Sequence, residues 1–273
     1  MDAIRKMAVA GSFYPARCYR IKQMISRYNR LPETREILQN FHDIYPKAVI
    51  VPHAGYIYSG FTANLAYRML QPDKKKRFIV IGPSHKYYFS GISGSFFENY
   101  ETPCGKLNID SAYLFALAKR FNIAFIPQAH ENEHATEVQI PFIKYYFPDS
   151  EVIELIYGEI TAQALANIIT VLLQNPNNRL IISSDLSHFY PLEKANKIDA
   201  HCIKGIQELN MNELQQCEAC GKIGIEALTL AAKHIGLTSK ILHYTTSADY
   251  SHDTDSVVGY LSAIFYRSIH DSK

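Results

Sequence analysis

Ala48-Val49-Ile50-Val51-Pro52-His53-Ala54-Gly55 and Phe78-Ile79-Val80-Ile81-Gly82-Pro83-Ser84-His85 share one plan: a short apolar run enters a tight turn that carries a histidine. Leu180-Ile181-Ile182-Ser183-Ser184-Asp185-Leu186-Ser187-His188 repeats it. Unbroken apolar runs of this length, rather than alternating ones, are the pattern of strands buried on both faces. Glu151–Tyr157 and Val257–Tyr266 also read as strands. Between the strands lie amphipathic stretches at 21–30, 63–70, 112–121, 136–146, 161–174 and 221–234. Asp110 and Thr161 stand where helix N-caps belong. The alternation predicts an α/β fold, a single domain over residues 1–273 with a mostly buried sheet flanked by helices.

The composition fits that reading and excludes several others. With 47% hydrophobic and 20% charged residues the chain is globular rather than disordered. Twenty-eight basic and 26 acidic residues leave a net charge of +2, so no global pull toward nucleic acid or a membrane is expected. The longest apolar stretch, 162–173, is broken by Asn167 and Thr170 and falls short of the ~18 residues of a membrane span. Met1–Lys6 has no apolar signal region, and a soluble, cytoplasmic protein is expected. The five cysteines are odd in number and irregularly spaced, which predicts free thiols. Lys74-Lys75-Lys76 reads as a solvated turn. Neither a phosphate-binding glycine loop nor a Gly-x-Ser-x-Gly elbow is present, which argues against nucleotide chemistry and the common serine hydrolases.

The positions of the histidines carry the functional signal. Ligands of open α/β sheets bind beyond the carboxyl ends of the strands. Three strands here each deliver a histidine, His53, His85 and His188, to that edge. Neutral imidazole is both the commonest metal ligand and the commonest acid/base group, so a shared site is expected. Cys220, at the start of the 221–234 stretch, has two readings: a small buried residue at a helix start, or a soft ligand whose thiolate the helix N-terminus favours. Asn132-Glu133-His134-Ala135-Thr136-Glu137 also has two, an acidic helix start or a set of contacts near the site; the first is slightly favoured. Gly11-Ser12-Phe13-Tyr14-Pro15 reads as a structural turn whose aromatics can line a pocket.

Taken in order, Ala8–Pro15, Pro52-His53-Ala54-Gly55-Tyr56, Gly82-Pro83-Ser84-His85, Glu133-His134-x-x-Glu137, Ser183–His188 and Cys220-Gly221 resemble the Memo-like family, also called AmmeMemoRadiSam system protein B. The resemblance spans about residues 8 to 265 and implies a fold similar to class III extradiol dioxygenases. It implies a metal held by His53, His85 and Cys220, iron(II) first, with copper or zinc as alternatives. It also implies Asp185 and His188 beside the metal as orienting and acid/base groups. Tyr56, Tyr14, His134 and Glu137 are then expected to contact the substrate. The function expected is that of a mononuclear metal protein with a redox or oxygen-handling role, and two rivals follow from the same resemblance: a non-catalytic pocket for a small molecule, peptide or partner protein, and an accessory role beside radical-SAM and Ammecr-type proteins. Cysteine in place of the extradiol carboxylate softens the site and exposes it to oxidation, so dioxygenase chemistry does not follow from the fold.

Overall fold

A computed structural model describes residues 4–70 and 76–268; Lys74, Lys75 and the first three residues lie outside the described residues. Eleven strands among the described residues form one sheet. They are β1 (Ile4–Arg5), β2 (Ala48–Val51), β3 (Arg77–Pro83), β4 (Ile92–Gly94), β5 (Asn99–Thr102), β6 (Gly105–Ile109), β7 (Glu151–Tyr157), β8 (Asn178–Ser183), β9 (His188–Tyr190), β10 (Thr238–Thr246) and β11 (Val257–Tyr266). The order is β1-β5-β6-β7-β3-β8-β2-β11-β10, with β4 added on β7 and β9 on β11.

The middle of the sheet, β7-β3-β8-β2, is parallel. The register sets Val51 opposite Ser183 and Pro83 opposite Tyr157. The carboxyl ends of all four strands therefore open on one edge. The two sides of this parallel core close differently, β11 and β10 running antiparallel and β5 antiparallel to β6, so the sheet is mixed.

The apolar runs are unbroken because both faces are covered. Ile50, Ile79, Ile81, Ile153, Leu155 and Ile182 pack toward the helices Ala162–Gln174 and Lys222–Ile235. Their alternate neighbours Val49, Val51, Phe78, Val80, Val152 and Ile181 pack toward the helices Cys18–Arg30, Tyr56–Met69 and Ile140–Tyr146. Truncating one of these isoleucines to alanine would cost ~2–5 kcal/mol. Asp110 and Thr161 cap helices as expected, accepting from the amides of Tyr113 and Ala164.

Two expectations need correction. The 136–146 stretch is two short helices, His134–Glu137 and Ile140–Tyr146, because Pro141 has no N–H for the turn before it and instead opens the second helix. The free-thiol reading fails for four of the five cysteines: Cys18–Cys104 and Cys202–Cys217 are disulfides, and Cys220 alone is free. Each pair has Cα atoms 4.7 Å apart, brought together by the fold across separations of 86 and 15 residues. Spacing along the chain carries no trace of that proximity.

Candidate metal centre

Three turns at the strand ends supply the site. His53 follows β2, His85 follows β3, and Cys220 stands just before the helix Lys222–Ile235. One donor atom from each lies within 4.8 Å of the others, and Sγ of Cys220 is 3.1 Å from Nε2 of His53. The ring centroids of His53 and His85 are 5.2 Å apart. Gly221 allows the cysteine turn to come this close, since a Cβ there would meet Cβ of Ser184 at 2.6 Å.

The hydrogen bonds decide which nitrogen of each ring is available. Ser183 donates its single hydroxyl proton to the carbonyl of Ala135 at 2.5 Å and accepts from Nε2 of Gln139. It can therefore only accept from Nδ1 of His53, 3.0 Å away. That assignment leaves the Nε2 lone pair of His53 facing Cys220. Nδ1 of His85 donates to Oε1 of Glu133 at 2.9 Å, which frees its Nε2 in the same way. Sequence reasoning missed Ser183 and Glu133 as the partners that set the rings. The only signal was their presence in the quoted motifs.

Burial drives the protonation states. His53 is 2% exposed, and that burial with the neighbouring His85 ring holds its pKa down to about 3. Burial and the nearby His53 bring His134 down to about 4. Both rings are neutral at physiological pH, and for His53 that is the form a ligand needs. Burial would raise the Glu133 carboxyl, but hydrogen bonding and charge from His85, with the amides of Ala135 and His85, outweigh it and hold it below the ordinary range. Burial and the Asp185 charge push the Cys220 thiol up to about 12, against the expectation of a favoured thiolate. Desolvation beats the helix terminus here. Its proton is placed to bridge to Nε2 of His53.

The expected neighbours divide into two groups. Asp185 belongs to the centre: its Oδ1 accepts from the amide of His53 at 2.7 Å, its own amide donates to Sγ of Cys220 at 3.3 Å, and burial raises its carboxyl. His134 also belongs, with its ring 5.3 Å from His53 and 4.6 Å from His85, backed by Phe13 at 4.8 Å. His188 lies on β9 and lines a separate depression of about 350 Å³ with Glu218 and Lys222. Tyr14, Tyr56 and Glu137 are buried beneath. Glu137 accepts from the amides of Ala8 and Val9 and from the Tyr14 hydroxyl, and Tyr56 donates to the carbonyl of Val138. A cleft of about 500 Å³ runs beside the centre, lined by His85, Cys220, Lys86, Tyr87, Tyr88 and Glu159.

Residues 5–264 match the Memo-like protein family, a span that contains every side chain of this centre. The chain belongs to the Memo-like family. Among curated Memo-like relatives, a "MEMO1 family protein" of Methanobrevibacter smithii is 33% identical, covering 96% of this chain and 99% of its own. The Thermoplasma volcanium "MEMO1 family protein TV1383" is 34% identical, covering 97% and 100%. Among solved structures, the uncharacterized protein JW3007 from Escherichia coli K12 superposes with a TM-score of 0.50 at 14% identity, over 80% of this chain and 98% of that one. That likeness is one of fold. Among the described residues of this Memo-like chain, no helix is long and apolar enough to cross a membrane.

Proposed function

We propose that His53, His85 and Cys220 hold a single transition-metal ion, iron(II) in first place with copper and zinc as competitors, and that the adjoining cleft carries redox chemistry. The observation behind this is the convergence of two imidazole nitrogens and one sulfur within 4.8 Å, each ring having its other nitrogen already occupied. Nitrogen and sulfur donors in this mix suit such ions, and a donor set whose rings are already held by supporting hydrogen bonds is what a bound metal requires. A bound iron would supply the redox step and positions open to a small ligand.

The chain's own residues prepare the rest. Cys220 gives up its proton on binding, so metal uptake releases a proton and strengthens with rising pH. Asp185 fixes the backbone of His53 and, through its amide, the sulfur of Cys220. His188, in the neighbouring depression, serves as the acid/base group in this reading. Tyr87 and Tyr88, 42% and 82% exposed, stand at the mouth of the cleft. That aromatic mouth also favours a second reading, in which the cleft binds a peptide or partner protein without turnover.

The test is elemental analysis of protein purified without oxygen, with nitric-oxide EPR for iron(II). Near-stoichiometric iron that disappears in His53→Ala is expected. Full metal content in that variant would rule the site out, and no metal after loading with iron or copper would put the binding reading first.

A further inference from the structure

Glu133 touches more of this centre than any capping residue needs to. It is fully buried, yet it lies at the start of a helix of only four residues. Its Oε1 accepts from the amide of Ala135 and from Nδ1 of His85, both at 2.9 Å, and sits 3.3 Å from Nδ1 of His134. Its Oε2 accepts from the amide of His85 at 2.5 Å. Arg5, itself 2% exposed, grips the Glu133 carbonyl from behind at 3.1 Å. One carboxylate is thus wedged between two imidazoles and the backbone that carries each of them.

We infer that Glu133 is a positioning residue that sets the tautomer of His85 and His134 together. An ionised carboxylate has no proton to give, so the Nδ1 of His85 that hydrogen-bonds to it must be the protonated nitrogen, and the negative charge 3.3 Å from Nδ1 of His134 favours the same tautomer there. Both Nε2 lone pairs are then released away from Glu133. The His134 ring lies 4.6 Å from His85 and 5.3 Å from His53, so His134 joins the ring cluster with its basic nitrogen already selected. A lone imidazole in water divides between its two tautomers, and a site that must wait for the right one binds more weakly by that fraction. Glu133 removes this cost from two rings with one side chain. Its place beside the ligands deepens the metal-site reading and rests on it for its effect on binding, but not for its effect on the rings.

The second cluster of donors, His85, Glu133 and His134, lies within 4.8 Å and has the composition of a cation site of its own. The hydrogen bonds favour the positioning role, because Glu133 already accepts two amides and a ring N–H. The two roles separate by stoichiometry.

Nitrogen-15 NMR of the imidazoles in the metal-free protein tests the inference directly. In the wild type, His85 and His134 are expected to show a protonated Nδ1 and an unprotonated Nε2. In Glu133→Gln, whose amide can turn its NH₂ toward Nδ1, and in Glu133→Ala, mixed or reversed tautomers are expected. Metal affinity should fall by ~10–100-fold in Glu133→Gln, while its circular dichroism stays that of the folded protein. Unchanged tautomers in folded Glu133→Gln would overturn the inference, and so would two metal equivalents per chain with the second lost in that variant. Tautomers that shift as expected in a protein that binds no metal would sustain Glu133 as a positioning residue and refute the metal reading instead.

Discussion

Glu137→Ala should loosen the wall of the site and cost a large part of the fold's stability. The carboxylate is fully buried and accepts from the Ala8 and Val9 amides at 2.8 Å each and from the Tyr14 hydroxyl at 2.7 Å. It also stands 3.4 Å from the buried Arg5 guanidinium. Alanine strands all of these donors. Tyr14 is sealed from water, and an unsatisfied buried donor costs ~1–3 kcal/mol. Arg5 keeps Glu154 at 3.9 Å, so only part of the ~3–5 kcal/mol for an orphaned buried charge applies. Water can reach the Ala8 and Val9 amides, which lowers their share to ~0.5–1 kcal/mol each. The total is ~4–6 kcal/mol, against a typical ~5–15 kcal/mol for a whole domain. Glu137→Gln keeps one acceptor oxygen and should lose about half as much. Urea unfolding gives the magnitude, and limited proteolysis reports on residues 6–15, the strap that Glu137 latches down through Ala8, Val9 and Tyr14. An alanine variant within ~1 kcal/mol of wild type, with the strap still protected, would refute the latch and return Glu137 to the role of a substrate contact.

Thiol titration of the denatured, unreduced protein should find one reactive cysteine, rising to five after reduction; five before reduction would contradict both disulfides. In the folded, metal-free protein Cys220 should resist alkylation at pH 8, since its proton is held up to about 12, and reaction at the rate of a free thiol would show the burial argument to be wrong. The metal-free protein should weaken in acid. The folded His53 and His134 take up protons near pH 3 and 4 whereas the unfolded rings do so at 6.5, so stability present above pH 6.5 is lost as pH falls toward 4. The slope is up to ~1.4 kcal/mol per pH unit for each ring, and a flat urea midpoint between pH 6.5 and 4.5 would count against it. Phe189 is 74% exposed with a φ of 64°, a left-handed backbone that a bulky side chain adopts at a cost. Phe189→Asn should therefore be neutral or stabilising by up to ~1 kcal/mol; a loss beyond that, seen in thermal melts, would mean the ring holds something.

The parallel centre of the sheet was legible because strands covered on both faces need no polar alternation, and β2, β7 and β11 begin and end where their apolar runs do. The helix Leu192–Gln207 was not. Its buried residues are Ala195, Asp199, Cys202, Gly205 and Ile206, with Asp199 accepting from the Ser187 amide and the Tyr244 hydroxyl, so the face that packs carries a single large aliphatic side chain and little apolar signal. β10 escaped for a related reason: it is an outer strand of mixed exposure, and its sequence, Thr-Ser-Lys-Ile-Leu-His-Tyr-Thr-Thr, mixes both kinds of residue. In the site, the three donors could be placed from the strand ends and the family resemblance. The duties of Glu133, Ser183 and Glu137 could not, because each is defined by a partner far along the chain. The same holds for the cysteine pairs.

The hydrogen bond between Cys220 and His53 joins residues 167 positions apart, and the Glu137 latch reaches back 129 to Ala8. Contacts of such long range are entropically late, because the loops they close must be ordered first. While the chain is being made, the histidines leave the ribosome long before their sulfur partner, so no half-built version of the centre can capture an ion with the final geometry. Under the metal reading proposed above, an ion would therefore enter a finished fold. Since His53 is sealed, the route is through the more open side, where His85 and Cys220 border the cleft. Loading then becomes a step with its own kinetics, set by the breathing of that cleft and by the escape of the thiol proton rather than by folding.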